Sequence, residues 1–68
     1  MTEKEFISCF DENIKLTCID GKTFEGYVIS FTWADDAEDG IAEIDLVMKN
    51  GREIVFKQTE VEKIEIID

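Results

Sequence analysis

Ile19-Asp20-Gly21-Lys22-Thr23-Phe24-Glu25-Gly26-Tyr27-Val28-Ile29-Ser30-Phe31-Thr32-Trp33 is the stretch on which the fold turns. Asp20-Gly21 favours the positive φ angles of a tight hairpin turn. A long strand is expected after it, from Thr23 to Trp33. Two irregularities interrupt that strand. Gly26 stands in its middle, where glycine marks a bend or a close backbone approach. The apolar alternation also slips, with Phe24 and Val28 in one phase and Phe31 and Trp33 in the other. A strand whose inward face changes partway has a bulge or serves two sheets.

The flanking sequence supplies the remaining elements. Ile14, Leu16 and Cys18 alternate with Lys15 and Thr17, the pattern of a half-buried strand. Upstream, residues 2–10 read as a helix. Thr2 and Glu5 have capping-box spacing, and Phe6, Cys9 and Phe10 form one apolar stripe. So short a helix must pack on something to persist. Downstream, residues 34–40 form an acidic loop. Ile41 to Met48 is a third strand, with Ala42, Ile44, Leu46 and Met48 on one face. Asn50-Gly51 is a strong hairpin signal. Glu53 to Phe56 is strand four, Lys57 to Glu60 a tight turn, and Val61 to Ile67 strand five with Ile64 and Ile66 inward. The expectation is one mainly β domain over residues 1–68. Its helix (2–10) precedes a five-stranded, strongly bent antiparallel barrel (13–67), closed or nearly closed so that few edges are exposed.

Size and charge narrow the function. A chain of 68 residues and 7.8 kDa should expose ~4,400 Å² folded and ~11,300 Å² unfolded, burying roughly 60%. That is near the lower limit for folding alone, so a partner or self-association would help. Seven basic against 17 acidic residues give a net charge of −10, with no histidine and no proline. Such a chain repels phosphate backbones and anionic membranes. No DNA and no membrane partner is expected, and no apolar run is long enough to span a bilayer. The first residues, Met1-Thr2-Glu3-Lys4-Glu5, lack the layout of a secretory signal, so the cytoplasm is the expected location.

The lack of histidine removes Ser-His-Asp and Cys-His chemistry. Two cysteines without histidine make an incomplete zinc set, and Cys9 and Cys18 read as packed free thiols. Carboxylates alone would need a desolvated pocket to separate their pKa values. The chain is therefore read as non-enzymatic, with no metal and no cofactor. Counted from Asp35, Asp39 and Gly40 fit positions 5 and 6 of a calcium loop, but Ala37 and Leu46 stand at positions 3 and 12, which need oxygen ligands. It reads as a solvated loop.

From Ile14 onward the pattern resembles the Sm-like family of small SH3-like barrels. Ile19 to Phe31 is similar to the first Sm motif, with Gly21 as the turn glycine and Gly26 as the bend. Ile54-Val55-Phe56-Lys57-Gln58-Thr59-Glu60-Val61-Glu62-Lys63-Ile64 resembles the strand-turn-strand of the second. The resemblance implies an SH3-like barrel after an N-terminal helix. It also implies rings in which strand 4 of one subunit lies beside strand 5 of the next. Ile54, Phe56, Ile64 and Ile66 would then serve the subunit interface or the core beneath it. Family members bind RNA through an Asp and Asn after strand 2, and through an Arg or Lys followed by Gly in the strand 4–5 turn. Here Thr32 follows Phe31, the loop has no asparagine, and Gln58 follows Lys57.

The candidate ligand residues are Lys57 and Gln58, at the family's basic position, and Tyr27 and Trp33 as aromatic platforms. Each also has a structural role open to it: a solvated strand-end charge for Lys57, core or interface packing for the aromatics. Three functions follow. The first is a self-associating Sm-like scaffold, with another protein as a further partner. The second is an RNA-binding Sm-like protein, which the charge disfavours. The third is a monomeric SH3-like adaptor for peptides.

Overall fold

The computed structural model describes residues 1–67. The chain forms a short helix α1 (Glu3–Ile7) and five strands: β1 (Asn13–Cys18), β2 (Thr23–Thr32), β3 (Glu43–Val47), β4 (Glu53–Lys57) and β5 (Val61–Ile66). Single 3-10 turns occupy Ala34–Asp36 and Gln58–Glu60. All strands belong to one antiparallel sheet in the order β4-β3-β2-β1-β5. No described helix is long and apolar enough to cross a membrane.

Helix α1 begins as expected and stops early. The Glu5 amide donates to the Thr2 hydroxyl at 3.2 Å, and the Thr2 amide donates to the Glu5 carboxylate at 2.7 Å. That reciprocal pair is the capping box. Expected to reach residue 10, the helix ends at Ile7. The Ser8 hydroxyl and Cys9 thiol turn back onto the carbonyls of Glu5 and Phe6, offering them partners other than the next helical amides. Asp11 then adopts φ 67°, a left-handed conformation that Asp tolerates better than most residues. Phe10 consequently leaves the buried stripe of Phe6 and Cys9 and is 44% exposed.

Strand β2 has both expected irregularities. Its register against β3 shifts between Val28 and Ser30, which makes Ile29 the extra residue of a bulge. The bulge lets Val28 and Phe31 both face inward despite their odd spacing, opposite Leu46 and Ile44. At Gly26 a side-chain Cβ would lie 2.4 Å from the Val47 carbonyl oxygen. Only glycine allows β3 to come so close. A second bulge, between β1 and β5, skips Glu62 and turns Val61 inward opposite Cys18.

The core joins Phe6, Ile7 and Cys9 of the helical segment to Ile14, Leu16, Val28, Ala42, Ile44, Leu46, Phe56 and Val61 of the sheet. Phe24 packs on Phe56, with ring centroids 5.1 Å apart.

Two expectations need correction. The sheet is not closed into a barrel, because β4 and β5 are its outer strands and do not pair. At the turn that joins them, the Lys57 amide donates to the Glu60 carboxylate at 2.8 Å instead of to a strand carbonyl. Ile66 is not buried either. It stands opposite Ile14 on the inner face, yet at this edge nothing covers it and it is 56% exposed.

Candidate functional site

The four candidate ligand residues do not form one site. Lys57 and Gln58 lie in the β4–β5 turn, Trp33 at the end of β2, and Tyr27 on the outer face of β2.

Lys57 is already engaged. Its ammonium bonds the Asp39 carboxylate and lies 3.5 Å from that of Glu43. The acidic loop folds onto the one basic side chain that the family resemblance singled out. The Asp39 hydrogen bond pushes the Lys57 pKa up, and Lys57 in turn holds Asp39 below the usual carboxylate range. An incoming phosphate would have to displace two carboxylates to reach this cation. Gln58 is half-buried and internally bonded. Its amide side chain donates to the Met1 carbonyl at 3.1 Å, and its backbone amide to Ala42 at 2.9 Å. The shallow depression beside it is lined by Met1, Glu3, Ala34, Ile41 and Thr59, so the N-terminal segment occupies its rim.

Tyr27 is partly exposed beside an open groove that also includes Asn13, Glu25, Val47, Met48 and Lys49. Its hydroxyl donates to the Asp11 carboxylate. That bond, ahead of the surrounding charge, raises the tyrosine pKa. The bond ties the left-handed turn after α1 to the outer face of the sheet.

Trp33 is 45% exposed and packs edge-on against Phe31, which packs edge-on against Phe10. Phe10 was missed as a surface candidate, because helical spacing assigned it to the core, while Phe31 is half-buried against the core. Val55 was missed as an edge residue although a signal existed. Ile54-Val55-Phe56 is apolar where strict alternation would place one polar residue, and Val55, the odd member, is 52% exposed.

Of the expected interface residues, Phe56 is buried in the core, Ile54 and Ile64 are half-buried, and Ile66 is exposed. They divide between the two outer strands. The hydrogen-bond alternation of an antiparallel ladder shows which backbone groups are free. Gln58 bonds Ala42 and Arg52 bonds Met48, so Ile54 and Phe56 face β3 while Glu53 and Val55 face outward. Ile67 bonds Asn13, so Ile64 and Ile66 face outward on β5. No cluster able to hold a metal ion occurs among the described residues. No protein family, no curated protein and no solved structure matches this chain.

Proposed function

We propose that the protein is a non-enzymatic, Sm-like scaffold that assembles with copies of itself through the β4 and β5 edges. The observation that carries this reading is the pair of free edges, each with an exposed apolar side chain beside unpaired backbone groups. The family resemblance requires β4 and β5 to be available to neighbours, and they are the two outer strands. The close backbone approach at Gly26 and the bulge at Ile29 lie within the stretch that carries the first motif.

The edges also fit one another in register. A hydrogen-bonded antiparallel pair places both side chains on the same face. Pairing Val55 of one copy with Ile66 of another sets two exposed apolar residues side by side. The same register brings Ile54 against Ile67, which is 49% exposed. Each contact removes apolar surface from water, at about 25 cal/mol per Å², and satisfies an unpaired strand edge. Because the two edges differ, the contact is heterologous and propagates from copy to copy, into a ring where the rotation between copies closes.

RNA binding loses support in this reading, since Lys57 is neutralised by Asp39 and Glu43. The test is the solution mass by light scattering after size exclusion. The expected result is a mass several times 7.8 kDa. A monomer at micromolar concentration would overturn the reading in favour of an SH3-like peptide adaptor. A salt-dependent shift of uridine- or adenosine-rich RNA would favour the nucleic-acid alternative.

A further inference from the structure

Phe10, Phe31 and Trp33 form an aromatic ladder that the fold leaves partly uncovered. The Phe10 and Phe31 rings meet at 5.1 Å and 70°, and those of Phe31 and Trp33 at 5.7 Å and 90°. Both ends are pinned by backbone. The Phe10 amide donates to Ile7 and the Asp11 amide to Val28, each at 3.0 Å. At the other end the Asp36 amide donates to the Trp33 carbonyl at 3.0 Å, and the Ala34 amide to the Glu3 carboxylate at 2.9 Å. The backbone that carries the rings is thus fixed before any partner arrives, which lowers the entropy cost of binding.

The segments that carry the ladder are acidic. The two segments that build it, residues 5–14 and 23–48, contain three and seven acidic residues and no Lys or Arg. Asp35 and Asp36 follow Trp33 closely, are exposed, and take part in no ion pair among the described residues.

We propose that this ladder is the docking site for an arginine-bearing segment of a partner protein. A guanidinium stacks on an aromatic face while its edge donates to carboxylates, and tryptophan is the best such face. Trp33 supplies the face, and Asp35 and Asp36 receive the charge. Other occupants fit less well. A nucleic acid brings phosphates into this field. A second copy offers a single arginine, Arg52. An uncharged apolar segment would desolvate the carboxylates without pairing them. The inference uses no residue of β4 or β5, so it stands or falls apart from self-association.

The probe is a dye-labelled synthetic Arg-Gly repeat peptide, followed by anisotropy. Trp33, the sole tryptophan, reports from the protein side by its fluorescence. Saturable binding that weakens with salt is expected, with amide shifts confined to residues 10–11 and 31–36. A citrulline version of the peptide should not bind, and a lysine version should bind more weakly. Trp33→Ala should weaken binding about tenfold. The paired exposed changes Asp35→Asn and Asp36→Asn should weaken it comparably, and they keep the test open if Trp33→Ala fails to fold. Unchanged binding by these variants would overturn the inference. So would equal affinity for arginine and lysine peptides with shifts spread over the whole acidic surface.

Discussion

Cys9 is 2% exposed, and burial pushes its thiol up to about 11. In the unfolded chain a cysteine titrates near its ordinary ~8.5. Between these values the native state keeps a proton that the unfolded state has lost. The resulting stabilisation is complete below the unfolded value and is lost as pH rises towards the folded one. Denaturant unfolding at about pH 8 and about pH 10 should therefore show an alkaline loss that is smaller in Cys9→Ala. An equal loss in both proteins would show that Cys9 does not drive it. The position of Lys57 in the turn was readable, but its availability was not. Asp39, eighteen residues away in sequence, determines that.

The elements depend on a few side chains that override simple periodicity. The capping box starts α1, and the back-bonding of Ser8 and Cys9 ends it. In β2 the decisive residue is Gly26. Its φ lies outside the left-handed region, so space alone requires glycine there. A Cβ would meet the Val47 carbonyl oxygen at 2.4 Å and its carbon at 2.9 Å, and both are backbone atoms that no rotamer can move. Gly26→Ala should destabilise the fold by about 3 kcal/mol, at the upper end of typical overpacking costs. Chemical denaturation measures this, and a loss below about 1 kcal/mol would mean that β2 and β3 separate easily.

For the whole molecule, the accessible surface is 4420 Å², the value expected from its mass. A single copy therefore buries what a folded monomer of its size buries, and its two free edges still leave Val55, Ile66 and Ile67 in water. Lysine at an edge blocks strand pairing. The double variant Val55→Lys, Ile66→Lys should elute as a monomer of 7.8 kDa while keeping its circular dichroism. If it retains the mass of the parent assembly, the contact lies elsewhere. Both positions are exposed in one copy, so loss of fold is not the expected consequence of changing them.

Hairpin turns at Gly21 and Gly51, the capping box, the mid-strand glycine and the slip of phase in β2 were legible in the residues themselves. Each depends on neighbours a few positions apart, where turn geometry and side-chain period act directly. The bulge in β5 was legible in principle from the spacing of Val61, Ile64 and Ile66. Other features depended on the tertiary structure. Ile66 has inward phase yet lies at an uncovered edge. Phe10 meets Phe31 only because α1 ends early. Lys57 is bound by a loop whose course no local pattern specifies. Local preferences determine which elements form and which way their residues face. What covers a face, and what reaches a charge, depends on where distant segments come to rest.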